Sequence, residues 1–264
     1  MPRVSVLFIT CNRAHTLVAT YESFVRRVAY PRDRLELILC DDASSGWHRA
    51  IIDRLAFDKV VRSESNRGLG ANNNAGIAAA EGDFILSLQD DCMLIGDPDF
   101  LLKTISAFSE HPSVTMVGFR ERPELPVIES LTIKTGKLLV YGTAANPRGC
   151  GDYAYSDQPH VKRRDFHARV GRYRENSPMA QMEMEFQRRV SACPGIKVAA
   201  LCGPDPFSHI GGPFSLNEAV ARASRREQFY RVPIIGSAYR RIRTHARRLF
   251  SALSGGNGRW SRDR

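Results

Sequence analysis

The sequence predicts an α/β protein built on a doubly wound, mostly parallel sheet flanked by helices, and three observations carry that reading. Residues 4–10 (VSVLFIT) form an unbroken apolar, β-branched run, the pattern of a strand buried on both faces. Strand-like and helix-like stretches then alternate through the first 120 residues, as a doubly wound sheet requires. Three of the strand-like runs end in polar clusters: Thr10-Cys11-Asn12-Arg13, Asp41-Asp42-Ala43-Ser44-Ser45 and Gln89-Asp90-Asp91.

Taken in order, the first strand is followed by Leu17, Tyr21, Phe24, Val25 and Val28 at three- and four-residue spacings, which predicts a helix. Tyr30-Pro31 ends it, because the residue before proline is pushed out of the α region. Residues 35–40 predict a second strand, 47–56 a second helix, 59–62 a short third strand, 71–80 a third helix and 83–88 a fourth strand. Asp97-Pro98 reads as an N-cap with proline at the first helical position, opening a helix to about Glu110, and 114–119 is a further strand. After Pro123 the rhythm changes. Residues 127–133 and 137–141 flank Lys134-Thr135-Gly136 and predict a small antiparallel hairpin. The Gly/Pro/Asn/Asp-rich stretch 142–158 has the length of an active-site lid. Ser177-Pro178 starts a helix that runs to about Val190 and stops at Cys193-Pro194-Gly195. Residues 196–201 predict a strand, followed by a loop to 212.

With 264 residues, 43% of them hydrophobic, the chain can bury one sizeable core. No window approaches the roughly 18 apolar residues of a membrane span. A secretory leader would put a small-residue cleavage site after the first apolar run, where Asn12 and Arg13 stand. The six cysteines include no CxxC, which argues against a zinc or dithiol site and for reduced, mostly buried thiols in a cytoplasmic protein. Charge is distributed unevenly. Residues 222–264 hold 12 arginines against two acids, leaving 26 basic and 26 acidic residues in the neutral body.

In an open α/β sheet, ligands bind beyond the carboxyl ends of the strands, so the three polar clusters delivered to that edge form a candidate site. Singly, each could be a helix cap or a turn; their joint occurrence is the signal. Gly68-x-Gly70-x-x-Asn73 follows the third strand and lacks a third glycine, so it is not the dinucleotide fingerprint. A neutral body without a base-reading motif argues against a nucleic-acid partner.

In order, VSVLFITCNR, LILCDDASS, NRGLGANNNAGIAAAEGDFILSLQDD, an acidic helix and FSHIGG resemble the motifs of family 2 glycosyltransferases over roughly residues 3–212. The resemblance implies a GT-A fold and an inverting, metal-dependent transferase of the bacterial type, using Mn²⁺ or Mg²⁺. It implies a nucleotide-sugar donor, UDP-linked, and a glycan or lipid-linked acceptor in surface glycan synthesis. Thr10, Asn12, Arg13 and Asp42 would hold the nucleoside, with Arg67 as a further contact; Asp90 would lie near the ribose. Asp91 and His209 would hold the metal, and Gly211-Gly212 would let the loop fold over the phosphates. Gln89 stands where many members carry another acid. In Met182-Glu183-Met184-Glu185-Phe186-Gln187-Arg188-Arg189 the resemblance gives the base as Glu183, with Glu185 as the alternative. Helical geometry turns residues two apart by about 200°, so only one of the two can face a site.

The domain reading is therefore 1–221 as a GT-A-like unit, with 1–120 its nucleotide-sugar half and 121–221 its acceptor and catalytic half, and 222–264 as a basic extension. In that extension Arg240, Arg241, Arg243, Arg247 and Arg248 alternate with Tyr239, Ile242, Leu249 and Phe250, a pattern suited to an anionic membrane surface at the inner face of the plasma membrane. Pro159–Phe166 carries bases that suit an acidic acceptor or a solvated face. The rival readings are a catalytically inactive nucleotide-sugar binder and a sugar nucleotidyltransferase.

Overall fold

The computed structural model describes residues 1–142 and 154–211. The expected lid is therefore covered only at its ends, and Cys150, Gly212 and the 222–264 extension lie outside the described residues.

The first half follows the alternation read from the sequence. Strands β1 (Val4–Thr10), β2 (Leu35–Asp41), β3 (Lys59–Arg62) and β4 (Phe84–Gln89) alternate with helices α1 (Ala14–Arg27), α2 (Gly46–Ile52) and α3 (Leu69–Ala79). A short β5 (Cys92–Leu94), helix α4 (Phe100–Glu110) and β6 (Met116–Gly118) follow. The second half adds the hairpin β7 (Val127–Ile133) and β8 (Gly136–Tyr141), then β9 (His160–Arg163), α5 (Phe166–Val170), α6 (Met179–Ala192), β10 (Val198–Leu201) and β11 (Phe207–His209).

Nine strands form one sheet in the order β3-β2-β1-β4-β9-β6-β10-β8-β7. Seven of them run the same way; β9 and β8 run against the rest. β5 and β11 pair with each other, antiparallel, outside this sheet. Because side chains alternate along a strand, β1 serves two cores. Val4, Val6 and Phe8 pack with Leu17 and Phe24 of α1 and with Phe100 and Phe108 of α4. Leu7 and Ile9 pack with Ile38, Cys40 and Ile85 under α3. A third cluster lies beneath α6, whose Met182, Phe186 and Val190 recur every four residues and meet Met116, Tyr155, Phe166, Tyr173 and Val198.

Helix α3 is what fixes the sheet edge. A Cβ at Gly76 would overlap Cys40 Sγ, so this helix lies close against β2. From α3 the buried Asn72 donates to the carbonyls of Thr10 and Cys40 at 3.2 and 2.9 Å, tying together the ends of β1 and β2. Asn74 reaches the other half: its amide donates to Tyr173 O and accepts from Tyr173 N–H, each at 2.9 Å. Buried amides with both functions satisfied are specific and rigid connectors.

Several element ends differ from the sequence expectation. Helix α4 is capped by Asp99 rather than Asp97; the Asp97 carboxylate accepts from the Asp99 N–H and pairs with Lys103. Pro178 is the N-cap of α6, so the helix begins one residue later. Helix α2 stops at Ile52, four residues early. The described cysteines are all free, but only Cys40 and Cys92 are buried. Among the described residues no helix is long and apolar enough to cross a membrane.

Candidate active site

The carboxyl ends of β1, β2 and β4 open onto one edge, and the polar clusters meet there. Asn12 takes a left-handed backbone conformation (φ 52°), one that asparagine tolerates better than most residues. Its N–H donates to Ser44 Oγ at 2.8 Å, and its side-chain oxygen accepts from Ser45 N–H at 2.9 Å. The loops after β1 and β2 are thereby bound to each other. The buried Asp42 accepts from the backbone N–H groups of Arg67 and Gly68 at 2.8–3.1 Å and so fixes the loop that leads into α3. Asp41 points elsewhere, accepting from Ser44 N–H and pairing with Arg62 at 2.7 Å. The Arg67 guanidinium meets Glu175 at 2.5 Å.

The acidic pair after β4 is the electrostatic centre. Asp90 and Asp91 are both 3% exposed, too buried to be left without cations nearby. Thr10 donates to Asp90 Oδ2 at 2.6 Å. Arg13, the N-cap residue of α1, spans the pair: Nη1 lies 3.1 Å from Asp90 Oδ1 and Nη2 lies 2.6 Å from Asp91 Oδ2. Burial pushes the Asp90 carboxyl up to about 7; Arg13 opposes this and the Asp91 charge adds to it. Arg13 is thus turned toward the carboxylates.

His209 arrives from β11, which β5 holds beside the acidic pair through the Cys92–His209 register. Its Nε2 is 3.3 Å from Asp91 Oδ2. The loop beyond it closes down on the same residue: Ile210 N–H donates to Asp91 O at 2.8 Å, and a Cβ on Gly211 would overlap Asp91 Oδ2 and Arg13. Any other residue there would have to push both side chains aside. Among the described residues no group of three or more His, Cys, Asp and Glu side chains is arranged to hold a metal ion. Asp91 and His209 nonetheless lie side by side, and a carboxylate and an imidazole are donor types that would hold a divalent ion such as Mn²⁺ or Mg²⁺. Such an ion would take its remaining ligands from substrate phosphates and water.

The second half faces this edge through Gln89. Its amide donates to Asp157 O at 3.3 Å, and Asp157 N–H in turn lies 3.3 Å from Glu183 Oε1. The two candidate bases diverge as helical geometry requires. Glu183 lines a cavity of about 310 Å³ between α6, the sheet and residues 154–159, whereas Glu185 is bound to Arg189 at 2.8 Å one turn on. Behind Glu183 lies a buried polar cluster. Tyr155 OH is bonded to Asp157 Oδ1 and lies 2.6 Å from Tyr173 OH, which accepts from Lys162 Nζ at 3.4 Å. Burial lowers the Lys162 pKa and raises that of Asp157, each opposed by the other's charge or by the Tyr155 bond.

The bases of 159–166 do not share one face: Lys162 is buried, Arg163 half-buried and Arg164 exposed. Lys162 is fully buried, Arg163 donates to the carbonyls of Val114 and Phe108, and Arg164 donates to that of Glu81. Tyr155, Asp157, His160 and Tyr173 are not themselves singled out by the sequence, although 142–158 and 159–166 read as a lid and a basic stretch.

Known proteins share this organisation. The model of the family described as glycosyl transferase family 2 matches residues 5–154. An uncharacterized glycosyltransferase of Haemophilus influenzae is 26% identical over 135 residues, covering 50% of this chain and 43% of its own. A putative glycosyltransferase of Bacillus subtilis, EpsE, is 30% identical over 122 residues, covering 44% and 42%. The chain thus spans less than half the length of these relatives. Among solved structures, Pyrobaculum calidifontis mannosyltransferase PcManGT, in complex with GDP-Man and Mn²⁺, superposes with a TM-score of 0.60 at 17% identity, covering 98% of this chain and 76% of that one. S. aureus TarS 1-349, in complex with UDP-GlcNAc, gives 0.58 at 17% identity, with 85% and 65% covered. These likenesses establish the GT-A fold. With more than half of its residues matched by the family model, the chain belongs to glycosyl transferase family 2.

Proposed function

We propose that the chain transfers a hexosyl or hexosaminyl unit from a nucleoside diphosphate sugar, UDP-linked, to an acceptor hydroxyl with inversion. The observation that carries this reading is the convergence of Thr10, Arg13, Asp90, Asp91 and His209 at one sheet edge, with Glu183 joined to that edge through Asp157 and Gln89. The solved complexes of similar fold with UDP-GlcNAc and with GDP-Man and Mn²⁺ support the donor class.

Thr10, Asn12, Arg13, Asp42, Arg67 and Asp90 form the nucleoside and ribose side. Asp91 and His209 would hold Mn²⁺ or Mg²⁺, which when bound neutralises charge on the diphosphate leaving group. Glu183 takes the proton of the acceptor hydroxyl as its oxygen attacks the anomeric carbon. The new bond forms as the bond to the phosphate oxygen breaks, and the nucleoside diphosphate leaves with the electron pair. Displacement from the face opposite the leaving group inverts the centre. The arginine-rich segment 222–264 would bring the enzyme to an anionic membrane surface in bacterial surface glycan synthesis, a role tested by sedimentation with and without that segment on phosphatidylglycerol vesicles.

The test of the donor reading is calorimetry with UDP, GDP, TDP and CDP, first with Mn²⁺ and then with EDTA. A metal-dependent preference for UDP is expected. Equal or absent binding of all four would remove the proposed donor site.

A further inference from the structure

Gln89 closes β4, one residue before the acidic pair, and its side chain reaches the other half of the chain. β4 and β9 run antiparallel with Ser87 opposite His160, so extending that register sets Gln89 beside Gln158, where the ladder has ended. There the side chain carries the connection on: Gln89 Nε2 donates to Asp157 O at 3.3 Å.

Asp157 is the middle of a small clamp. Its N–H donates to Glu183 Oε1 at 3.3 Å, and its carboxylate takes the Tyr155 hydroxyl. One turn beyond Glu183 on α6, Gln187 Nε2 donates to Tyr155 O at 3.2 Å and lies 3.5 Å from that same Glu183 oxygen. Two glutamine amides from two elements therefore hold the stretch 155–157, β4 at Asp157 and α6 at Tyr155. The stretch is also anchored from beneath, since Tyr155 is fully buried with its hydroxyl 2.6 Å from that of Tyr173.

The residue type at position 89 follows from what it holds. A carbonyl only accepts, so fixing Asp157 O takes a donor. A carboxylate at 89 would have none to give and would add negative charge beside Asp90 and Asp91. Glutamine supplies the donor at the same length without charge. A base held by groups that are themselves locked is oriented before the acceptor arrives, and a misplacement of about 1 Å can cost on the order of 10²-fold in rate.

We propose that Gln89 and Gln187 are positioning residues: together they fix residues 155–157, and through them the Glu183 carboxylate, relative to the edge that holds the acidic pair. The proposal rests on the reading of Glu183 as the base and adds what sets its direction. It assigns position 89 to the base rather than to the metal.

The experiment measures UDP release by the full chain with Mn²⁺ from UDP-glucose, UDP-galactose, UDP-N-acetylglucosamine and UDP-N-acetylgalactosamine, with water as the acceptor hydroxyl. UDP affinity is measured by calorimetry in parallel. On a donor that the wild type turns over, Gln89→Glu and Gln89→Met keep the length and lose the amide donor. Each should lower kcat about tenfold, the scale of one hydrogen bond left unmade, while KM for the donor and Kd for UDP stay within about twofold. Gln187→Met should give the same split. In a Glu183→Gln background Gln89→Met should cost less than about twofold more, because residues that act through one carboxylate are not additive. An unchanged kcat in the Gln89 variants, or a full tenfold loss on top of Glu183→Gln, would overturn the proposal. So would a Gln89→Glu protein that binds UDP with Mn²⁺ more than about threefold tighter, since an added carboxylate ligand would then serve the ion. Should the Gln89 variants fail to fold, Gln187→Met decides on the same readouts. Wild-type protein that releases no UDP, or Glu183→Gln that releases it at the wild-type rate, would sink the transferase reading and the proposal with it. A rate lost in Glu183→Gln but kept in the Gln89 variants would confine the failure to the clamp.

Discussion

Replacing Arg13 with methionine removes the cation that lies between Asp90 and Asp91 while keeping an apolar stem of similar length. At 3.1 and 2.6 Å the guanidinium makes two close ion pairs, worth about 5 and about 6 kcal/mol of gross attraction at an effective dielectric near 20. Much of that offsets the cost of drawing the three charges out of water, so the measurable loss on removing one partner is about 3–5 kcal/mol. For a domain of this size each kcal/mol moves the melting temperature by about 2–4 °C, so Arg13→Met should melt about 6–20 °C below wild type in EDTA. Asp91 Oδ2 is the oxygen that Arg13 and His209 share, so a divalent ion on that oxygen has to displace Arg13. Saturating Mn²⁺ should therefore raise the melting temperature more in Arg13→Met than in wild type, because the variant has no guanidinium to move aside. Thermal melting by circular dichroism, with EDTA and then with a Mn²⁺ series, measures both effects. A drop under about 2 °C in EDTA would show that the pair does not depend on Arg13. An equal or smaller Mn²⁺ shift in the variant would show that the ion and the guanidinium do not compete.

Further predictions concern the second half. Glu183→Gln should retain nucleotide binding and lose transfer by 10²-fold or more, the scale of general-base catalysis, while Glu185→Gln, which only breaks the half-buried pair with Arg189, should keep turnover within about twofold; the reverse pattern in a nucleoside diphosphate release assay would move the base to Glu185. Phe186→Ala empties the stack against Tyr173, whose ring centroid is 4.1 Å away, and should cost about 3–5 kcal/mol by urea denaturation; a loss under 1 kcal/mol would mean that the cluster beneath α6 is not packed as described. The stability of wild type relative to His160→Phe should depend on pH. The buried ring's pKa of about 3 lies below the ordinary value near 6.5, so its neutral form is the folded one. That contribution is complete above pH 6.5 and is lost as pH falls toward 3, by about 2 kcal/mol at pH 5. Asp90 and Asp157, whose pKa values are raised, act in the opposite sense in both proteins and cancel in the comparison. A difference that stays flat between pH 7.5 and 5 would mean that the histidine is not held neutral.

What could be read in advance divides along physical lines. The first half was legible because its signals are local: a strand buried on both faces is mostly apolar, as 4–10 and 35–40 are apart from Ser5, Thr10 and Glu36, and a polar cluster at a strand's carboxyl end points to the ligand edge whatever follows. Asp90 and Asp91 could be placed at that edge from the sequence, but Arg13 turning onto them could not. That contact joins residues 78 apart, and its geometry comes from the α1 cap rather than from any pattern. The short pieces β5, β9 and β11 escaped because three or four residues carry no period, and β9 in particular mixes His, Val, Lys and Arg.

The misreading of β9 follows from the same limit. A run with Lys162, Arg163 and Arg164 counts as charge in any composition, yet burial depends on what surrounds each residue. In the fold, the three cations donate separately to four acceptors: a tyrosine hydroxyl for Lys162, two backbone carbonyls for Arg163 and one for Arg164. With Lys162 buried and Arg163 half-buried, only Arg164 of the three carries its charge at the surface. Pro159 and His160 are the residues of that stretch that line the cavity. Under the proposed reaction it is Glu183, which lines the cavity, that sets what the acceptor must supply: a hydroxyl whose proton the carboxylate can take.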